Sequence, residues 1–156
     1  MQEAKFIVTK ELGKLAKWLR ILGYDAIYYD KKETAGLIIQ ALRDKRVILT
    51  RSTAPAKYKG IHVVIIRSDH VEKQIEQVFT ELKLLLREEG LFRRCVECNT
   101  LLKDVERGQI KEKVPEYVFR NHEVFKKCAK CQKIFWKGTH WGMVGKWLEG
   151  KGIKGK

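Results

Sequence analysis

Over the first 90 residues, short apolar runs alternate with segments in which apolar residues recur every three or four positions. The short runs are rich in β-branched and aromatic residues, which predicts four strands. The segments between and after them predict three amphipathic helices. The predicted strands cover residues 6–8, 26–29, 47–50 and 61–66, and the predicted helices cover residues 12–22, 37–42 and 71–90.

Two helix ends carry local signals. Gly23 follows the first predicted helix and is expected to stop it, because glycine readily adopts the left-handed conformation that ends many helices. Asp69 precedes the third predicted helix and is followed three residues later by Glu72. This spacing predicts a capping box at the start of that helix.

The strands are apolar throughout and alternate with helices, which is typical of a mostly parallel sheet with helices on both faces. We therefore predict an α/β domain over residues 1–90. Right-handed crossovers bring the carboxyl ends of parallel strands to one edge, where such sheets bind ligands. We expect the first polar residues after the four strands at this edge: Thr9, Asp30, Ser52 and Asp69.

Residues 91–143 lack a long helical repeat and contain all four cysteines, as the CxxC pairs Cys95 with Cys98 and Cys128 with Cys131. Each tight turn aims two sulfurs at one ion, which predicts a four-thiolate Zn²⁺ site in a small zinc ribbon. Four thiolates leave no position for water, so the site is expected to be structural. Two disulfides or four free thiols are the alternatives, and disulfides are disfavoured in the cytosol. The basic, glycine-rich residues 144–156 are predicted to form a flexible tail.

The net charge is +14, of which residues 1–90 carry +5 and residues 91–156 carry +9. A positive excess concentrated near the cysteines favours a polyanionic partner such as nucleic acid, and a lysine-rich solubilising surface is the alternative. No apolar run is long enough to span a bilayer, and the first residues lack the apolar stretch of a signal peptide. We therefore expect a cytoplasmic protein without membrane contact.

Several long motifs resemble those of one known family. In the first half they are FIV at residues 6–8, LGKLAKWLRILGYD at residues 12–25 and ILTR at residues 48–51. In the second half they are RCxxCN at residues 94–99, VPxYV at residues 114–118, and CxxC at residues 128–131 followed by FWxGTHW at residues 135–141. Together they are similar to the Mut-seven C-terminal ribonuclease domain family over residues 5–143.

The resemblance implies a PIN-like α/β nuclease domain fused to a zinc ribbon, acting on RNA with Mg²⁺ or Mn²⁺ held by carboxylates. The family usually has aspartate where this chain has Thr9 and Ser52, and hydroxyls bring no negative charge to the ion. A turn-forming role for Asp30 and a capping role for Asp69 are the local alternatives to metal binding. The candidate catalytic residues are Asp30, Glu33 and Asp69, with Glu11 and Asp25 as weaker candidates.

Basic residues flank both predicted sites, and as a group they are expected to bind RNA phosphates, although each alone is typical of a solvated surface. They are Lys10, Lys14, Lys17 and Arg51 near the sheet edge, and Arg93, Arg94, Lys126, Lys127 and Lys130 near the cysteines. Three functions are consistent with these features. They are a metal-dependent ribonuclease weakened by Thr9 and Ser52, a non-catalytic RNA-binding module, and a protein-binding adaptor, which the large positive charge disfavours.

Overall fold

The computed structural model describes residues 3–91, residues 93–136 and residue 150. Within these residues, the first unit has four strands and three helices. In chain order they are β1 (Lys5–Thr9), α1 (Gly13–Ile21), β2 (Asp25–Tyr29), α2 (Thr34–Asp44), β3 (Val47–Thr50), β4 (Val63–Ile65) and α3 (Val71–Glu81). The strands pair in parallel in the order β2-β1-β3-β4. The predicted α/β architecture with a parallel sheet is confirmed.

The helices cover both faces of this sheet because successive side chains of a strand point to opposite faces. Phe6 and Val8 of the interior strand β1 belong to one apolar cluster with side chains of α1 and α3. Ile7 lies between them in sequence and belongs to a second cluster with Leu37 and Ile38 of α2. All three β1 residues are fully buried, and burial of each contributes about 1.5–3 kcal/mol.

Gly23 ends α1 as predicted. It adopts φ 94°, and the next amide, that of Tyr24, donates to the carbonyl of Leu19. The helix α3 is shorter than predicted, because it ends at Glu81 rather than at Gly90. Lys83 takes the left-handed conformation there, with φ 53°, and the chain leaves the helix axis. None of the described helices combines the length and apolar character that a membrane span requires.

The predicted capping box at the start of α3 is wrong. The residue at the N-cap position is His70, and its side chain makes no capping hydrogen bond. The side chain of Asp69 lies one residue too early and pairs with Arg51 instead. The local turn is closed by Ser68, whose hydroxyl oxygen accepts a hydrogen bond from the His70 amide at 3.1 Å.

The second unit contains β5 (Lys103–Val105), α4 (Glu116–Asn121), β6 (Phe125–Lys127) and β7 (Ile134–Trp136). The three strands form an antiparallel sheet in the order β5-β6-β7. Its apolar core is small and consists of Ile110, Val114, Val118 and Phe125 with partly buried neighbours. The boundaries at residues 90 and 143 stay a prediction, and the proposed tail at residues 144–156 lies outside the described residues, apart from residue 150.

Candidate functional site

The four cysteines of the second unit converge at one point. Their four sulfur atoms all lie within 4.8 Å of one another, and they belong to Cys95, Cys98, Cys128 and Cys131. The two CxxC turns have the same local hydrogen bonds: the Cys98 amide donates to the Cys95 sulfur at 3.4 Å, and the Cys131 amide donates to the Cys128 sulfur at 3.4 Å. We call these turns the first and the second knuckle.

The same backbone conformation follows each knuckle. Asn99 has φ 65° and Gln132 has φ 66°. Their amides donate to the carbonyls of Cys95 and Cys128, at 2.8 Å and 2.9 Å. Two equivalent turns therefore present four sulfurs to one position, as a tetrahedral ion requires.

This donor set fits Zn²⁺ and leaves no open coordination position, so a bound ion is structural. All four cysteines are free, and the sulfurs of Cys95 and Cys131 are 3.7 Å apart, well beyond the length of a disulfide bond. Burial raises the pKa of Cys95 to about 12. Burial also acts to raise the pKa of Cys128, but backbone N–H donors outweigh it and lower this pKa to about 7. Metal binding must therefore displace protons.

The first knuckle is attached to the start of β2. Arg20 of α1 donates from Nε to the carbonyl of Ala26 and from one terminal nitrogen to the carbonyl of Val96, both at 2.8 Å. The side-chain oxygen of Asn99 accepts a hydrogen bond from the Ala26 amide at 3.0 Å. Both backbone polar groups of Ala26, which lies on an edge strand, are thereby satisfied. Such covering of an edge strand opposes pairing with other chains.

Asp25 is the charged part of this junction. Its carboxylate accepts hydrogen bonds from Arg46 and from the Asn99 amide group, each at 2.7 Å. Burial acts to raise the pKa of Asp25, but the hydrogen bonds from Arg46 and Asn99 outweigh it and hold the pKa below its ordinary value. The carboxylate therefore joins three parts of the chain at the amino-terminal edge of the sheet, away from the edge at which a catalytic residue was expected.

A cleft of about 240 Å³ lies at the opposite, carboxyl-terminal edge of the parallel sheet. It combines hydroxyl, carboxylate and ammonium groups that follow three different strands. Its lining residues are Thr9, Lys10, Glu11, Tyr29, Lys31, Lys32, Glu33, Thr34, Leu37, Thr50 and Ser52. Thr9 and Ser52 were both expected at this edge from the order of elements in the sequence.

Glu11 lies where β1 and β3 end side by side. One carboxylate oxygen accepts hydrogen bonds from the Thr9 hydroxyl at 2.6 Å, the Thr50 hydroxyl at 3.3 Å and the Arg51 amide at 3.2 Å. Burial acts to raise the pKa of Glu11, but these bonds, the one from Thr9 first, lower it below its ordinary value. Glu11 therefore carries a negative charge at neutral pH.

A comparison with known protein families matches residues 4–148 to the Mut7-C RNAse domain. The chain belongs to this family. The match covers nearly the whole chain, confirms the resemblance seen in the motifs and supports a ribonuclease-type function. No curated protein and no solved structure matches the chain.

The acids predicted from the Mut7-C resemblance take separate positions. Glu33 lines the cleft, whereas Asp30 is exposed at the end of β2 outside the lining. Asp69 is 85% exposed, with its carboxylate 2.8 Å from Arg51. Among the described residues, the four cysteines are the one group of three or more metal-ligating side chains close enough to share an ion. The structure therefore does not bring Asp30, Glu33 and Asp69 together, and their roles stay a prediction.

The predicted basic residues near the sheet edge have different surroundings. Lys10 lines the cleft, and Lys14 is exposed on α1. Lys17 is paired with Glu97 of the first knuckle at 3.6 Å. Arg51 donates to the carbonyl of Ser68 as well as to Asp69. Of these four side chains, Lys10 is therefore the one best placed to meet a ligand in the cleft.

The predicted basic residues near the cysteines also differ. Arg94 donates to the carbonyls of Gly23 and Asn99, so it holds the first knuckle against the end of α1. Arg93 is paired with Glu3 at 3.4 Å. Lys130 is exposed in the second knuckle, and Lys126 and Lys127 lie on β6. A binding role for the basic residues near the cysteines stays a prediction.

Three charged lining residues of the cleft are absent or only weakly indicated among the residues that the sequence predicts. Lys31 and Lys32 precede α2, and the run of two lysines followed by Glu33 is the sequence signal that points to them. Glu11 was a weaker candidate because its importance rests on hydrogen bonds to residues 39 and 40 positions away. Contacts at this separation are visible only in the folded chain.

Proposed function

We propose that this chain is an RNA-directed, PIN-like protein of the ribonuclease type, with weak metal-dependent hydrolysis of phosphodiester bonds. The observation that supports this function is the cleft at the carboxyl-terminal edge of the sheet. It combines three lysines, two glutamates and the hydroxyls of Thr9 and Ser52. The carboxyl-terminal edge is the usual ligand-binding position in sheets of this class.

The charge of the cleft suits an RNA backbone. Lys10, Lys31 and Lys32 supply three positive charges against the two negative charges of Glu11 and Glu33. The whole chain has a net charge of +14, which favours approach of a polyanion and release of its counterions. Lysine side chains here are expected to contact phosphate oxygens, which fix the position of the strand without reading its sequence.

The donor chemistry of the cleft supports a divalent ion that is shared with the substrate. Mg²⁺ is commonly held by one or two carboxylates together with substrate phosphates, and Glu11 and Glu33 supply two. Glu11 and Glu33 would hold the Mg²⁺ or Mn²⁺, which would supply a hydroxide nucleophile from water and neutralise charge on the phosphate. Thr9 and Ser52 add neutral oxygens where the family usually has aspartate, so hydrolysis is expected to be weak.

The chain's own residues would then bind and orient the RNA. Lys10 and Lys32 attract the phosphates, while Glu11 is fixed by its hydrogen bonds to Thr9 and Thr50. A fixed carboxylate needs little reorganisation when positive charge or a proton arrives beside it. A cytoplasmic location is part of the proposal, because the four thiols persist in a reducing compartment.

A non-catalytic RNA-binding module is the second candidate. The observation that favours it is that Asp30, Glu33 and Asp69 do not gather as one metal-ligating group among the described residues. In this function the cleft binds the RNA backbone through its lysines, and Glu11 stabilises the ends of β1 and β3. The two candidates predict the same RNA affinity and different hydrolysis.

The experiment is cleavage of end-labelled single-stranded RNA by zinc-loaded protein with added Mn²⁺ or Mg²⁺. The wild type is compared with Glu33→Gln, with Asp30→Ala/Asp69→Ala and with Thr9→Asp/Ser52→Asp. The wild type is expected to cleave RNA slowly. Glu33→Gln is expected to reduce this cleavage, and Thr9→Asp/Ser52→Asp is expected to accelerate it. Retained RNA binding without cleavage in the wild type, with cleavage gained by Thr9→Asp/Ser52→Asp, would establish the second candidate.

RNA binding is tested separately with Lys10→Gln/Lys31→Gln/Lys32→Gln. The matched control is Lys57→Gln/Lys59→Gln/Lys73→Gln, which removes the same charge from residues outside the cleft. The cleft variant is expected to bind RNA more weakly than the control and to lose more of the salt dependence. Equal affinities for the two variants would show that RNA does not occupy the cleft.

A further inference from the structure

The parallel sheet has its topological switch point between β1 and β3. From β1 the chain crosses through α1 to β2 on one side, and from β2 it crosses through α2 to β3 on the other side. The apolar clusters show that α1 and α2 lie on opposite faces, because the α1 cluster contains Phe6 and Val8 and the α2 cluster contains Ile7. Crossovers on opposite faces leave a crevice between the carboxyl ends of β1 and β3, where ligands bind in such folds.

Glu11 lies in this crevice. Its carboxylate accepts hydrogen bonds from Thr9, the last residue of β1, and from Thr50, the last residue of β3. The short 3₁₀ turn Lys10–Leu12 directs the chain back over the strand ends. Leu12 anchors this turn, because it is 3% exposed, and the Tyr28 hydroxyl donates to the carbonyl of Lys10 at 2.8 Å.

The carboxylate of Glu11 supplies the negative charge that position 9 lacks. Its oxygen is 2.6 Å from the Thr9 hydroxyl, so it lies beside the place that a short acidic side chain at position 9 would occupy. The hydrogen bonds from the Thr9 and Thr50 hydroxyls and from the Arg51 amide all end on Oε1, and the amide of Glu11 itself is a further donor to the carboxylate. A carboxylate has about four lone-pair positions on its two oxygens, and Oε2 accepts none of the bonds from Thr9, Thr50 and Arg51, so it is the oxygen that can turn to a cation.

We propose that Glu11 is the principal carboxylate of the cleft, which holds a divalent cation beside the RNA phosphate in place of an aspartate at position 9. This inference rests on the proposed function, because the cation acts on RNA in the same cleft. Glu33 lines the cleft as a second carboxylate. Lys10, adjacent in sequence to Glu11 and also in the lining, is positioned to contact the phosphate.

The test moves the carboxylate between positions 11 and 9. Glu11→Gln keeps the length of the side chain and an oxygen acceptor for Thr9 and Thr50, but removes the charge. Thr9→Asp/Glu11→Gln returns one negative charge to the end of β1. Glu72→Gln is the matched control, because Glu72 is exposed in the first turn of α3, outside the cleft. Thermal unfolding confirms that each variant is folded.

Two readouts are measured on zinc-loaded protein: Mn²⁺ binding by electron paramagnetic resonance, and RNA cleavage. Glu11→Gln is expected to bind Mn²⁺ about tenfold or more weakly, because loss of a charged ligand costs at least as much as loss of a group that only orients a ligand, which weakens binding about 10–100-fold. Thr9→Asp/Glu11→Gln is expected to recover the affinity of the wild type, and Glu72→Gln to keep it. Wild-type protein that binds no Mn²⁺, or Glu11→Gln that binds it equally well, would overturn the role of Glu11.

The two readouts separate this inference from the proposed hydrolysis. Binding of Mn²⁺ that depends on Glu11, without RNA cleavage by the wild type, would support the cation site and reject catalysis. Cleavage that is equal in the wild type and in Glu11→Gln would support catalysis and reject Glu11. If Thr9→Asp/Glu11→Gln binds Mn²⁺ as weakly as Glu11→Gln, a carboxylate at position 9 cannot replace the one at position 11, and that part of the inference is rejected.

Discussion

Replacement of Asn99 by alanine removes the side chain that joins the first knuckle to the start of β2. The lost bonds are the one from the Ala26 amide to the Asn99 oxygen, at 3.0 Å, and the one from the Asn99 amide group to the Asp25 carboxylate, at 2.7 Å. The Ala26 amide then lies on an edge strand without this acceptor. We expect lower stability and a looser start of β2, while the metal site keeps all its ligands.

The magnitude follows from the two bonds and the backbone. A neutral hydrogen bond contributes about 1 kcal/mol, and one to a charged group contributes about 2 kcal/mol. Position 99 has φ 65°, and alanine in the left-handed region costs about 1 kcal/mol. The expected decrease in the free energy of unfolding for Asn99→Ala is therefore about 4 kcal/mol.

Gln132→Ala is the matched control, because Gln132 occupies the equivalent position of the second knuckle with φ 66°. Among the residues that the structure describes, its exposed side chain bonds only to the nearby carbonyl of Ala129, at 2.8 Å. This variant is expected to lose about 1 kcal/mol. Urea unfolding with saturating Zn²⁺ measures both changes, and amide hydrogen exchange of Ala26 reports the local effect.

The reasoning would be refuted if Asn99→Ala and Gln132→Ala lost equal stability and Ala26 kept its protection from exchange. Equal losses would mean that the bonds of Asn99 to Asp25 and Ala26 contribute no more than the local bond of Gln132 to Ala129. A large loss for Asn99→Ala with unchanged protection of Ala26 would place the effect within the knuckle. Only a larger loss together with faster exchange of Ala26 supports the contact between the two units.

Two further predictions concern the same side of the molecule. Gly23→Ala is expected to destabilise the chain by more than 1 kcal/mol, because Gly23 has φ 94° and an added Cβ would overlap the backbone of Gly90. Urea unfolding measures the loss. Gly60→Ala separates the backbone cost from the overlap, because Gly60 has φ 80° and open space around the Cβ. Asp25→Asn is expected to lower the free energy of unfolding by about 2 kcal/mol at pH 7 and by less at pH 3. The pKa of Asp25 is lowered in the folded chain, so its carboxylate stabilises the fold above the unfolded pKa, and this stability is lost as the pH falls through the folded pKa. A loss of stability that is the same at both pH values would contradict this.

The strands and the two-sided sheet could be predicted because each strand is apolar on both faces. Ile48 and Leu49 of β3, for example, are fully buried but pack in opposite clusters. The end of α3 could not be predicted, because Leu85 and Leu86 continue the helical spacing beyond Glu81. A lysine at position 83 gives no warning of the left-handed conformation that it adopts there.

The metal centre and the cleft differ in how far sequence reveals them. The spacing of four cysteines within two short turns restricts their geometry, so the metal-binding group was predicted in full. The cleft depends on the ends of separate strands, and the parallel order correctly indicated the edge with Thr9 and Ser52. The contribution of Glu11 requires its side chain to turn back toward Thr50, a tertiary contact that no local spacing encodes.

The two ends of β2 separate the structural metal from the cleft. Asp25 and Ala26 at its start contact the first knuckle, whereas Tyr29 at its end lines the cleft. Four steps along a strand, at about 3.3 Å each, place these ends roughly 13 Å apart. An ion held by the four cysteines therefore cannot coordinate a phosphate in the cleft. Any effect of this ion on the proposed RNA hydrolysis acts through the elements that the first knuckle contacts, β2 and α1. Chelation of Zn²⁺ is therefore expected to lower stability, and to reduce activity only as far as these elements are displaced.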